Sequence, residues 1–175
     1  MKARCLTTIL LVMLGIYCYG QKLPTTDIVA GYGFADAFHV GFKAQVYKKG
    51  QLGIYYGNTL NAGDYKYSSF GIDHQYHFGK VSEFSQRGVW FLKQGLNYSF
   101  ENSSYSDEKY LLLLLSVGRE FNISSRVGFS MDIGLLRALY KKETVKDPSK
   151  EPWFDLDVND FAVLPNVRVQ FFYSF

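Results

Sequence analysis

Val127-Gly128-Phe129-Ser130-Met131-Asp132-Ile133-Gly134-Leu135 decides the fold. Val127, Phe129, Met131, Ile133 and Leu135 are apolar, while Gly128, Ser130, Asp132 and Gly134 are small or polar. A period of two belongs to a β-strand with one apolar face, because successive side chains point to opposite sides of a sheet. The same alternation places Phe38, Val40, Phe42, Ala44 and Val46 opposite His39, Gly41, Lys43 and Gln45. Near the end, Val163, Val167, Val169, Phe171, Tyr173 and Phe175 oppose Asn166, Arg168 and Gln170. Carried along the chain, the pattern predicts eight strands near residues 27–35, 38–47, 51–59, 65–79, 89–101, 109–121, 126–140 and 162–175.

The glycines show which face is enclosed. Gly50, Gly63 and Gly88 are expected in turns. Gly31, Gly33, Gly41, Gly53, Gly57, Gly71, Gly79, Gly95, Gly118, Gly128 and Gly134 all fall on the face opposite the apolar one. Glycine weakens a strand open to water but relieves crowding where side chains converge on an axis. The expected fold class is therefore all-β: an eight-stranded, antiparallel, up-and-down transmembrane β-barrel with its apolar face outward. A soluble barrel with an apolar interior would invert both faces.

The first twenty residues read as a cleavable signal peptide, with residues 21–175 forming the barrel domain. Lys2 and Arg4 precede an apolar run, Leu6 to Ile16, and Cys18-Tyr19-Gly20 suits cleavage before Gln21. Tyr17 before Cys18 does not suit a lipoprotein signal. Cys5 and Cys18 leave with the leader, so no disulfide or thiol chemistry is expected. Without Lys2 and Arg4, 17 basic residues face 16 acidic ones. That balance gives no footprint for nucleic acid. Aromatic residues make up 18% of the chain, yet after the leader the longest apolar run is Leu111–Leu115. Such a run is too short for a membrane helix, which leaves the closed barrel as the way to cross a bilayer.

On the enclosed face, Lys43, Lys93, Arg126 and Arg168 meet Asp73, Glu120 and Asp132, with His39, His77, Gln45, Gln75, Asn97, Asn166 and Gln170 adding hydrogen-bonding groups. Eight strands leave just enough room for side chains to fill the interior. An ion-paired cluster of Lys43, Asp73, His77, Lys93, Glu120, Asp132 and Arg168 is therefore expected in place of a pore. On the apolar face, His74 and Gln94 are exceptions. The tightest pairing that keeps both parities sets 74 opposite 94, where the two side chains could share a hydrogen bond. Arg119 and Arg137 are expected near the two membrane interfaces as ordinary snorkelling cations, with contact between Arg137 and lipopolysaccharide phosphates as the alternative reading. Both termini should lie in the periplasm, with turns near 35–37, 60–64, 101–108 and 141–161 outside.

The terminal run ending in Phe171, Tyr173 and Phe175 resembles the assembly signal of bacterial outer-membrane proteins, which implies recognition by the barrel assembly machinery. Tyr76-His77-Phe78-Gly79, Gly95-Leu96-Asn97-Tyr98, Gly118-Arg119-Glu120-Phe121-Asn122-Ile123-Ser124 and Val163-Leu164-Pro165 are similar to small outer-membrane barrels of the Bacteroidetes type. That resemblance implies a fold and the bacterial outer membrane, with its lipid and lipopolysaccharide as partners. It implies no activity.

Catalytic, metal and cofactor sites are not expected. His74 and His77 point to opposite faces of one strand and cannot readily chelate one ion. Lipid A deacylases carry a His-x-Ser pair, but here Gly41, Tyr76 and Gly79 follow the three histidines at that spacing. Asp155-x-Asp157-x-Asn159 begins like a calcium loop, yet Asp160 and Asn166 occupy the positions that need Gly and Glu. Gly31-x-Gly33 lacks the following helix of a nucleotide fingerprint. The segment Lys141–Phe161 is the expected contact surface, with Trp153 and Phe154 as candidate anchors. The leading expectation is a monomeric structural or surface-interaction barrel. A lipid-modifying enzyme and a narrow channel or small-ligand carrier are the alternatives.

Overall fold

A computed structural model describes residues 26–59, 65–147, 149 and 163–175. The signal peptide and the Trp153–Phe154 pair lie outside them. The strands are β1 (Thr26–Gly33), β2 (Ala37–Tyr47), β3 (Gly50–Asn58), β4 (Lys66–Val81), β5 (Gly88–Asn102), β6 (Ser106–Asn122), β7 (Val127–Val145) and β8 (Val163–Ser174). Each pairs antiparallel with the next, and β1 pairs with β8, closing the barrel in chain order. Closure leaves every central strand edge paired, which a sheet in hydrocarbon requires.

The eight strands match the expected count and parity. The expected register of β4 and β5 is also observed: Phe78 faces Trp90, Tyr76 faces Leu92 and His74 faces Gln94. Several ends differ. β6 and β7 run past their expected limits, pairing Ser106–Tyr110 with Lys141–Val145. That charged stretch lies beyond the apolar band, so it lacks the alternation that marks a half-buried strand. Gly50 and Gly88 open strands instead of lying in turns. Gly79 is exposed at a bulge with φ 79° rather than enclosed. Arg126 is exposed in the turn before β7, because the chain has already left the strand where its parity would aim it inward.

The faces are inverted relative to a soluble barrel. Phe42, Ile133 and Phe171 point outward with 54%, 61% and 61% of their surface exposed, while Lys93 and Arg168 inside are 2% and 1% exposed. An apolar exterior of this extent suits hydrocarbon, not water. Aromatic side chains border the band at both ends. Tyr76, Trp90, Phe121, Tyr173 and Phe175 flank the end where β1 begins and β8 ends. Tyr32, Phe38, Tyr56, Phe70, Tyr98 and Tyr140 flank the far end. The rim is uneven, since β4 to β7 have 15–19 residues and the other four strands 8–12.

Three inward aromatic rings cover glycines directly across the ladder. Tyr55 faces Gly71, Phe91 faces Gly118 and Phe172 faces Gly128. A Cβ on each glycine would stand 2.0–2.4 Å from the ring opposite. The strands thus make room for large rings in a barrel only eight strands wide.

Candidate functional site

The site is the enclosed interior, built in tiers from the inward positions of all eight strands. At the end where β1 begins and β8 ends, Arg87 reaches in from the β4–β5 turn. Its Nη1 donates to Asp27 Oδ2 at 2.9 Å, and its Nε lies 3.5 Å from Glu120 Oε2. Gln51 Nε2 also donates to Asp27 Oδ2 at 2.9 Å, and Ser174 Oγ donates to Oδ1 at 2.6 Å. His77 places its ring nitrogens 3.0 Å from Gly88 O and from Gln51 Oε1, with Glu120 Oε1 at 4.0 Å. Phe172 packs below the Arg87 guanidinium, 5.8 Å from ring centre to Cζ.

Across the middle, Lys43 Nζ donates to Gln170 Oε1 at 2.6 Å. Lys93 pairs with Asp132 on β7. Arg168 on β8 bridges Asp36 and Asp73, the latter at 3.4 Å, and stacks on Tyr55 at 4.6 Å. Asp36 comes from the far turn between β1 and β2 and accepts a bond from Asn97 Nδ2 at 2.6 Å. Gln170 Nε2 donates to His39 Nε2 at 2.9 Å, which leaves the ring proton on Nδ1, toward Ala37 O and Asp36. Beyond this tier, Ala35, Leu112, Leu114, Leu136 and Ala138 form an apolar cluster under the far rim.

All seven residues expected in the interior cluster are there, each at most 5% exposed. Direct contacts join Arg168 to Asp73, Lys93 to Asp132, and His77 to Glu120, whereas Lys43 pairs with Gln170. Three charged members were not anticipated: Asp27, Asp36 and Arg87, at 1%, 0% and 2% exposed. Asp27 shares its parity with Val29 and Gly31, so alternation does carry its signal. Asp36 and Arg87 belong to turns, where no period applies. Both neighbour a residue with a left-handed backbone, Ala37 at φ 54° and Gln86 at φ 57°. These sparsely populated conformations turn the chain so that the adjacent charged side chain enters the barrel. At Arg87 the turn is tied by Ser82, whose N–H donates to Arg87 O at 2.8 Å and whose O accepts from Gln86 N at 3.0 Å.

On the outward face, His74 and Gln94 adjoin a groove of about 620 Å³ lined by Leu92, Leu115, Val117 and Ile133. Although the two residues are partners across the ladder, His74 Nε2 bonds to the Tyr47 hydroxyl, 2.8 Å away, rather than to Gln94. The β2 bulge between Gln45 and Tyr47 brings that ring into stacking contact with the imidazole, centroids 5.9 Å apart. Phe171, Tyr173 and Phe175 form an outward row on β8 and at the residue after it, 61%, 41% and 68% exposed.

No protein-family model matches the chain, and no curated protein matches it. Solved structures do. The crystal structure of Acinetobacter baumannii CarO aligns with a TM-score of 0.53 and 9% identity, covering 89% of this chain and all of that one. The crystal structure of the N-terminal β-barrel domain of Pseudomonas aeruginosa OprF aligns with a TM-score of 0.51 and 13% identity, covering 89% of this chain and 99% of that one. At such identities the likeness is one of fold: the chain shares the closed eight-stranded barrel architecture of CarO and of the OprF barrel domain.

Proposed function

We propose that this chain is an exported bacterial outer-membrane barrel with a filled, non-conducting interior, serving as a structural or surface-interaction protein through the connections at its far end. The observation that carries the reading is the inversion of its surfaces. Phenylalanines and isoleucines cover the outside, while Lys43, Asp73, Lys93, Asp132 and Arg168 inside are each at most 5% exposed. Water-sized access along that row would expose those side chains, so their burial supports a plug. The likeness to CarO and to the OprF barrel domain supports the outer membrane as the location.

Residues 1–20 act as the leader and Phe171, Tyr173 and Phe175 as the assembly signal in this proposal. The Bacteroidetes-type resemblance belongs to it as well. With the start of β1 and the end of β8 at one end of the barrel, that end faces the periplasm and the β1–β2, β3–β4, β5–β6 and β7–β8 connections face outward. Trp153 and Phe154 are the proposed contact residues in the last of these.

Two measurements test it. The outer-membrane fraction should yield a band that changes mobility on a detergent gel only after heating. The folded protein should be silent in planar bilayers, and steady single-channel steps would overturn the plugged reading.

A further inference from the structure

Along the tall side of the barrel, four strands form a ladder of matched outward rows. One row is Phe70, Tyr98, Leu111 and Tyr140. It is the far-end edge of the apolar band. The next row outward is Ser68, Phe100, Lys109 and Lys142. Here two exposed lysines are direct cross-strand partners. Like charges so placed repel each other, with Cβ atoms about 5 Å apart. Lys109 lies over the Phe100 ring at 5.6 Å. Among the described residues neither lysine forms a salt bridge. The nearby Asp107 is bound by Lys146 at 2.8 Å, and Glu108 and Glu143 are bound from the inward side by Lys141. Two rows toward the waist from the lysines, exposed Arg137 faces Leu113 and Val163, and its long side chain can snorkel outward toward the headgroup region.

We propose that the Lys109–Lys142 pair, assisted by Arg137, is a binding site for the phosphate groups of a phosphorylated glycolipid in the outer leaflet. This rests on the outer-membrane reading above. Three features select that ligand. The cations face away from the barrel axis, so the ligand approaches from the lipid side. They stand immediately beyond a row of aromatic side chains, the depth at which lipid headgroups begin. Two positive charges sit on adjacent lysines that make no salt bridge among the described residues, which suits an anion that both ammonium groups can contact.

The test uses the full mature barrel folded in phosphatidylcholine vesicles, with the midpoint of heat modifiability as readout. Phosphorylated lipopolysaccharide should raise the midpoint by about 4 °C or more. Phosphate-stripped lipopolysaccharide and inorganic phosphate should raise it by less than half as much. K109Q/K142Q should lose most of the gain. Without glycolipid, the same variant should be at least as heat-resistant as the parent, since the repulsion is gone, and the single variant K142T should fall between them in its response. Equal shifts from the intact and stripped lipids, a full shift from inorganic phosphate, or a full shift in K109Q/K142Q would each overturn the proposal. Loss of heat modifiability in the parent protein would instead remove the membrane-barrel reading on which the proposal stands.

Discussion

Phe91 and Gly118 are direct cross-strand partners, and the Phe91 ring lies where a side chain on residue 118 would stand. A Cβ there would come within 2.3 Å of Phe91 Cζ and 2.7 Å of Asp132 Cβ. Phe91 is 0% exposed and also touches His77, ring centroids 5.7 Å apart, so it has nowhere to retreat. Gly118→Ala should therefore destabilise the barrel by about 1–3 kcal/mol through overpacking. Urea unfolding from lipid vesicles, followed by tryptophan fluorescence, measures this. Adding Phe91→Leu should recover part of the loss, because the smaller side chain vacates the contested space. A G118A variant as stable as the parent would contradict the close approach.

Arg87 is the only cation within salt-bridge distance of Asp27 among the described residues, and it also approaches Glu120. Arg87→Ala leaves two carboxylates enclosed without their guanidinium, and stripping one partner from a buried ion pair costs roughly 3–5 kcal/mol. Arg87→Lys should restore only part of this, since an ammonium cannot reproduce the fork that spans both acids. The same unfolding assay ranks the three proteins. R87A matching the parent would show that the terminal-end plug contributes nothing.

The contrast between Arg87 and His74 shows where the sequence is informative. His74 could be placed opposite Gln94 because strand parity and a tight register leave little choice. Its hydrogen bond to Tyr47 was not legible, since it depends on a bulge between Gln45 and Tyr47 that alternation cannot foresee. Likewise, Lys93, Asp132 and Arg168 could be read as interior from period alone, whereas Arg87 and Asp36 enter from turns through local backbone geometry. Arg126 misled for the complementary reason: its parity is inward, but β7 begins one residue later. Lys141–Val145 read as loop because a strand that rises beyond the apolar band alternates between charged and polar residues on both faces.

Lys93 and Asp132 offer a test of what the interior charges do. They sit on β5 and β7 and pair across the interior over β6. Lys93→Met alone strands Asp132 near Arg168 with an altered balance, and Asp132→Leu alone strands Lys93. Each should cost roughly 3 kcal/mol or more. The double variant K93M/D132L should lie within about 1 kcal/mol of the parent, because a buried pair replaced by apolar groups of similar volume loses little. A double-mutant cycle in vesicles gives the coupling. Additive losses would mean that the two residues do not act as a pair.

Phe175 separates assembly from stability. Its side chain is 68% exposed on the outward row and meets Tyr173 edge-on at 5.2 Å, so it contributes little to packing inside the barrel. Its backbone is different: the Phe175 N–H donates to Thr26 O at 3.0 Å, helping close β8 onto β1. Phe175→Ala keeps that bond and removes only the ring. Folding into synthetic vesicles should then be nearly unchanged, within about 0.5 kcal/mol as for surface substitutions generally. If the terminal aromatic row is read by the assembly machinery, the amount of heat-modifiable protein in the outer membrane of cells should fall severalfold. Equal yields of F175A and parent in cells would remove the assembly role. A large loss in vesicles would show that the ring serves the barrel itself.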